Sequence, residues 1–414
     1  MADLSGGRRR VSVFGATGSI GCNTVALLQA QGGADAYDVV VLTGARNAQL
    51  LARQALALRA RRAVVADAAH LPELRAALAG SGIRAEGGRE AILAAADATT
   101  DWSMMAIVGA AGLAPSLRLA RHGGILALAN KESLVCAGPL LQATCATHGT
   151  RLIPVDSEHS AIFQALRGEA AEAVDRLILT ASGGPFRDWP LERMAAVTPA
   201  EARAHPKWDM GLRISIDSAT MFNKALEMLE AQVLFGVAPA QIEVVVHPQS
   251  IVHSMVGFRD GSILAQMGPP DMCGAIGFAL NWPDRRALPV ERLDFARLGR
   301  LDFQAADPER FPALRLARAA MERGGLAGAV LNAAKEAALD AFLENAIGFL
   351  DMARAVEHVL EGLDAGIGGT AAGASLADVS EIDARARAMA RAWVETHGDG
   401  SAGLSPARER VTWN

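Results

Sequence analysis

A short β-type run, Val11-Ser12-Val13-Phe14, leads directly into Gly15-Ala16-Thr17-Gly18-Ser19-Ile20-Gly21, and a helical pattern through Thr24, Val25, Leu27 and Leu28 follows. No other stretch restricts the fold as tightly. Strand, glycine turn and helix start together specify the first βα unit of a dinucleotide-binding domain. The glycines let the backbone approach a pyrophosphate, and the helix N-terminus offers N–H groups and a favourable dipole. Gly15, Gly18 and Gly21 stand in G-x-x-G-x-x-G spacing, a weaker signature than G-x-G-x-x-G, and a plain glycine turn is the alternative. Further strands are expected over residues 37–43, 63–65, 105–108 and 124–129, each followed by a helical or glycine-marked segment.

The second strand selects the cofactor. An NAD site usually ends this strand in an acidic residue for the ribose hydroxyls. Here it ends in Thr43-Gly44-Ala45-Arg46-Asn47, with no acid and an arginine in reach. A guanidinium suits a 2′-phosphate, so NADPH is favoured over NADH. In the other reading, Arg46 faces water on the first turn of the next helix.

Chemistry concentrates at Pro154-Val155-Asp156-Ser157-Glu158-His159. Read as the end of a strand over residues 151–155, this stretch sets Asp156 and Glu158 roughly 6.6 Å apart on one face. Two carboxylates so placed reach one hard cation such as Mg²⁺, and Ser157 points elsewhere as a hydroxyl for a substrate. An isolated D-x-E is more often two solvated acids; the neighbouring motifs raise its weight. Ala129-Asn130-Lys131-Glu132-Ser133 falls at a strand's carboxyl end, where open α/β sheets bind ligands. Ser182-Gly183-Gly184 follows a strand over 176–181 and can present N–H groups and a hydroxyl to a phosphate. His205-Pro206-Lys207-Trp208 reads as a lid or as a surface loop. Asp217 or Ser218 is expected to cap a helix whose face carries Asn223, Lys224 and Glu227. That face is either ordinary surface support or a phosphate grip with a third carboxylate for the metal. Residues 241–255 alternate like one strand, and His247 and His253 receive no role.

A chain of 414 residues needs two or three domains. A formal net charge of −5 argues against nucleic acid as a partner. The four cysteines form no C-x-x-C pair and read as reduced thiols. No signal peptide is visible and no segment approaches the ~20 apolar residues that span a membrane, so a cytoplasmic protein is expected. Residues 313–363 read as helices broken near Gly324-Gly325 and Gly348. A last helix starts at Ser375 or Asp378 with Val379, Ile382, Ala386, Met389 and Trp393 on one stripe.

Taken together and in order, the motifs at 15–21, 129–133, 154–159, 181–186, 205–208 and 217–224 closely resemble the 1-deoxy-D-xylulose 5-phosphate reductoisomerase family over nearly the whole chain. The resemblance implies an α/β protein. An N-terminal Rossmann-like NADPH domain would cover 1–155, and a central α/β catalytic and dimerisation domain 156–285, with a lid near 202–213. A linker over 286–312 and a C-terminal α-helical bundle over 313–414 would complete it. It further implies a homodimer that uses NADPH and Mg²⁺ or Mn²⁺, with Co²⁺ a third candidate, to turn the deoxyxylulose phosphate into 2-C-methyl-D-erythritol 4-phosphate. Carried over by motif, Asp156, Glu158 and Glu227 bind the metal. Ser182, Ser218, Asn223 and Lys224 hold the phosphate, and Lys131, Ser157, His205 and Trp208 contact the rest of the substrate. Lys131 and His205 join the metal ligands as catalytic residues. Cofactor contacts fall to Thr17, Gly18, Ser19, Ile20, Ala45, Arg46, Asn47, Asn130, Glu132 and Gly211, alongside Gly15 and Gly21 of the glycine turn. Phe222, Lys335 and Arg213 depart from the residues usual in the family. Two other readings remain: a metal-independent NADPH dehydrogenase of a phosphorylated aldehyde, and a non-catalytic NADPH sensor.

Overall fold

The computed structural model describes residues 7–203, 211–363 and 374–398, and within them the chain forms two compact units. The first contains residues up to 133, 141–160 and 271–291; the second contains 134–140, 161–270 and the residues from 292 on.

The first unit is built on seven strands: β1 (Arg9–Phe14), β2 (Tyr37–Gly44), β3 (Arg62–Val65), β4 (Arg84–Gly87), β5 (Trp102–Met105), β6 (Ile125–Leu128) and β7 (Arg151–Pro154). All pair in parallel, in the order β4-β3-β2-β1-β5-β6-β7. A parallel sheet is covered on both faces, so its strands are apolar throughout rather than alternating. Val11, Val13 and Phe14 are accordingly fully buried, and each such side chain contributes roughly 1.5–3 kcal/mol. Strand order reverses between β1 and β5, and open α/β sheets bind ligands outside the carboxyl ends at that switch point. Helix Met272–Asn281 belongs to this unit, packs on helix Ser19–Ala30, and accepts at the Ala279 carbonyl a 3.0 Å bond from Trp102 Nε1. One strand differs from expectation. β5 covers Trp102–Met105 instead of 105–108, because its partner β1 ends at Phe14 and residues beyond have no neighbour to pair with. Val108 stands 85% exposed in the loop that follows.

The second unit holds a mixed sheet of β8 (Val174–Ala181), β9 (Ile242–Val246), β10 (Val252–Phe258), β11 (Ile263–Met267) and β12 (Gln304–Ala305). The order is β11-β10-β8-β9-β12, with β8 and β9 parallel and the other pairs antiparallel. The alternating stretch over 241–255 is therefore two strands on opposite sides of β8. Pro248, which lacks a donor, and Ser250, at φ 54°, break the run between them. Helices Phe222–Phe235, Ala313–Arg323, Ala327–Leu343, Asp351–Gly362 and Leu376–His397 pack in the same unit. The breaks at Gly324-Gly325 and before Asp351 fall where glycine predicts them. Ser375 caps the last helix in a capping box with Asp378. Val379, Ile382, Ala386 and Trp393 are buried, whereas Met389 is half-buried. Helix Ala327–Leu343 is buried on nearly every side, with small alanines that let its neighbours approach.

Candidate active site

At the switch point of the first unit, Gly15 has φ 89°, and a Cβ there would lie 2.5 Å from the Ala106 carbonyl. A Cβ at Gly21 would lie 2.1 Å from the Gly15 carbonyl, so both positions need glycine for close packing of strand, turn and helix. Gly18 is different: its added Cβ would meet nothing nearer than 3.5 Å. Gly18 also caps helix Ser19–Ala30 without any side-chain bond, and both Gly18 and Ser19 are exposed. Its bareness leaves the helix N–H groups open to an anionic ligand. The turn is tied to the end of β2, with Gly15 N donating to Thr43 Oγ1 at 2.9 Å and Ala16 N donating to the Thr43 carbonyl at 2.6 Å. Ala45, Arg46 and Asn47 follow in exposed positions, and Asn47 Oδ1 caps the helix Ala48–Ala57 by accepting from Leu50 N. Thr17 and Ile20 are half-buried in the same turn.

Across the switch point, Asn130 is buried and its amide brackets the loop after β5. Nδ2 donates to the carbonyls of Ile107 and Gly109, both at 2.9 Å, and to Glu132 Oε2 at 2.7 Å. Its Oδ1 accepts from Ser133 N. The side chain that the sequence offers as a cofactor contact is thus committed to holding the loop on either side of Val108.

Asp156 is not on a strand. β7 ends at Pro154, and the helix Ser157–Ala165 starts immediately, with Asp156 Oδ1 accepting from Glu158 N at 3.2 Å. The strand-face geometry expected for Asp156 and Glu158 is replaced by a turn, because a carboxylate before a helix satisfies its first free N–H groups. Lys131 Nζ donates to Asp156 Oδ2, and the buried His159 ring sits 3.2 Å from Oδ1. Burial pushes the Asp156 carboxyl up, but Lys131 and then His159 outweigh it and hold Asp156 well below the usual carboxylate range. Ser157 Oγ donates to Glu158 Oε2. His159, not assigned any role from sequence, was legible as the residue one turn after Asp156 on a helix.

In the second unit, the turn after β8 carries Ser182, whose Oγ accepts from Gly184 N at 3.2 Å. Gly183 and Gly184 both have positive φ, and a Cβ at Gly184 would lie 2.9 Å from the Ser218 carbonyl. This turn therefore packs on the end of helix Leu212–Ala219, which carries Ser218. Asp217 and Ser218 close that helix rather than cap the next one. The next helix, Phe222–Phe235, starts after Met221 in the left-handed conformation at φ 61°. A non-glycine residue there costs about 1–3 kcal/mol and marks a backbone held for a purpose; no periodicity in the sequence signals it. Beyond this joint, Asn223 Nδ2 and Lys224 Nζ donate to the two oxygens of Glu227, which is fully buried. Glu230, one turn further on the same face, is buried too. Gly211 is exposed at the start of helix Leu212–Ala219, and His205 and Trp208 lie outside the described residues.

Residues 11–138 match the family model described as 1-deoxy-D-xylulose 5-phosphate reductoisomerase. Residues 152–235 and 267–389 match two models of C-terminal domains of that enzyme. A 1-deoxy-D-xylulose 5-phosphate reductoisomerase of Ruegeria sp. (strain TM1040) is 58% identical over 379 residues, 92% of this chain and 95% of the relative. The chain belongs to the 1-deoxy-D-xylulose 5-phosphate reductoisomerase family. The reductoisomerase of Zymomonas mobilis, solved with NADPH, superposes with a TM-score of 0.88 at 49% identity, covering 94% of this chain and all of that one. A DOX-P reductoisomerase solved with NADPH, fosmidomycin and magnesium reaches the same TM-score at 37% identity, again over 94% of this chain and 100% of the other.

The residues present in this chain suit a phosphorylated dinucleotide and a divalent cation. The bare, exposed glycine at the mouth of the turn and the exposed Arg46 fit a phosphorylated dinucleotide. Asp156 and Glu158 of the first unit, and Glu227 of the second, each offer hard oxygen donors, the kind that Mg²⁺ and Mn²⁺ prefer over softer donors. Among the described residues no helix is long and apolar enough to cross a membrane.

Proposed function

We propose that this chain is an NADPH- and divalent-metal-dependent enzyme that rearranges and reduces 1-deoxy-D-xylulose 5-phosphate to 2-C-methyl-D-erythritol 4-phosphate, with Asp156, Glu158 and Glu227 as the metal ligands. The observation that carries the ligand assignment is the setting of Asp156: a half-buried carboxylate that accepts from Lys131 Nζ and lies 3.2 Å from the His159 ring, two residues before Glu158. Mg²⁺ or Mn²⁺ at these acids supplies a Lewis acid to neighbouring substrate oxygens, and bound NADPH supplies the hydride.

The chain's own groups do the rest. Ser182, Ser218, Asn223 and Lys224 hold the phosphate, supported by the Gly183-Gly184 turn and the left-handed joint at Met221. Gripping the phosphate away from the reacting carbons supplies orientation where the skeleton changes. Lys131 contacts substrate hydroxyls, a role supported by its bond to Asp156, and Ser157 joins it in that contact. His205 contacts the substrate in this reading and Trp208 belongs to its lid; both are assigned by motif and lie outside the described residues. Thr17–Ile20, Ala45–Asn47, Glu132 and Gly211 line the cofactor, and Asn130 acts there through the loop it holds.

The enzyme works as a cytoplasmic homodimer, with β11 as the docking edge. β11 is the last strand of its sheet, and Ile263 and Leu264 on it are 49% and 43% exposed, an apolar edge suited to a second copy. NADPH oxidation followed at 340 nm with the deoxyxylulose phosphate, with and without chelator, tests the reading. Turnover that stops with chelator and returns with Mg²⁺ or Mn²⁺ supports it; chelator-resistant turnover favours a simple dehydrogenase.

A further inference from the structure

Within the second unit, a chain of charges, buried at Lys335 and Asp217 and part-exposed at Arg213, joins two helices that carry no expected chemistry in common. Lys335 sits 1% exposed in helix Ala327–Leu343, and its Nζ donates to Asp217 Oδ2 at 2.9 Å and to Glu336 Oε1 at 2.6 Å. The other Glu336 oxygen and Asp340 accept from the two ends of the Arg213 guanidinium, each at 2.7 Å. Arg213 and Asp217 are four residues apart on helix Leu212–Ala219, hence on one face. Two attachments along so short a helix fix both its roll and its slide. On another side, Gly184 packs against the Ser218 carbonyl with no room for a Cβ. Ser218 is therefore set between a glycine wedge and the ion pair of its neighbour Asp217.

We propose that Lys335 is a positioning residue for the substrate phosphate, acting through Asp217 on the helix end that carries Ser218. This rests on the phosphate assignment made above. Stability alone does not call for these charges, since well-packed apolar residues in place of a buried ion pair are often neutral or stabilising. Apolar contacts lack the directional tie that a 2.9 Å bond gives to the residue beside Ser218. Among the described residues, Lys335 is also the one side chain bonded to the Asp217 carboxylate, whose Oδ1 is buried without a partner. Losing Lys335 leaves that carboxylate nothing to hold it in register.

The test is steady-state kinetics at saturating NADPH and Mg²⁺ for Lys335→Met, Lys335→Arg and the charge-free pair Asp217→Asn/Lys335→Met, with NADPH affinity measured by fluorescence and folding by thermal melts. The pair avoids an uncompensated buried carboxylate, so it reads out position even if Lys335→Met alone folds poorly. The expected result is a KM for the sugar phosphate raised about tenfold or more in Lys335→Met and in the pair, the size of one lost charge-assisted contact. kcat stays within about threefold, NADPH affinity is unchanged, and Lys335→Arg recovers most of the KM. An unchanged KM in the folded variants, or kcat and NADPH affinity falling in parallel with KM, overturns the positioning role. Lys224→Ala separates the two levels. A raised KM there with unchanged KM in the Lys335 variants sinks this inference alone, and an unchanged KM in Lys224→Ala sinks the phosphate assignment beneath it.

Discussion

Gly18 and Gly21 in one turn answer to different constraints, and substitution separates them. Alanine at Gly21 would place its Cβ 2.1 Å from a backbone carbonyl, so Gly21→Ala is expected to lose about 1–3 kcal/mol or more of stability. Alanine at Gly18 has room, so Gly18→Ala should melt within about 0.5 kcal/mol of the parent yet bind NADPH about tenfold more weakly. Thermal melts beside fluorescence titration with NADPH read both; equal loss of stability in the two variants would contradict the division. At the acid cluster, Asp156→Ala should abolish turnover while leaving NADPH affinity nearly intact, because Asp156 and its partners Lys131 and His159 lie far from the glycine turn in sequence. Retained turnover, or lost NADPH binding, measured in the same assays would count against its role.

Between elements, the ties are few and specific, which makes them measurable. Partial burial raises the Glu336 carboxyl, but Lys335 and Arg213 pull it down to about 2 from its ordinary 4.5. A depressed carboxylate stabilises the fold above its unfolded value, and that contribution is lost as pH falls from 4.5 towards 2. Lys335 is shifted the other way: burial lowers it, Asp217 and Glu336 raise it more, and its contribution persists at every pH below its ordinary 10.5. In the same pair, burial raises the Asp217 carboxyl against the pull of Lys335. Comparing urea stability of the parent and Glu336→Gln at pH 7 and pH 3 should show a gap, on the order of 3 kcal/mol, that narrows with acid. A gap independent of pH would contradict the charge-based account. Such ties were not legible in the sequence, since Lys335 and Asp217 lie 118 residues apart with no pattern linking them. Local signals were legible: the strand–turn–helix at Gly15, the glycine helix breaks and the Ser375 cap. The strand misplaced at Met105 and the turn at Asp156 failed for one reason. Each ends where a neighbour runs out or a cap competes, and apolar pattern reports neither.

At the scale of the molecule, the family is established by likeness over nearly the full chain, and the arrangement of the parallel sheet agrees with a dinucleotide enzyme. The proposed assembly through β11 predicts that the parent sediments as a dimer and Leu264→Lys as a folded monomer, and an equal sedimentation coefficient in the two would contradict it. The account depends most on three acids from separate stretches serving one cation. Mn²⁺ binding followed by electron paramagnetic resonance on the parent, Glu158→Gln and Glu227→Gln tests this directly. The prediction is one tight Mn²⁺ per chain in the parent and an affinity lower by about tenfold or more in each variant; a variant at either position that binds Mn²⁺ as the parent does would contradict it.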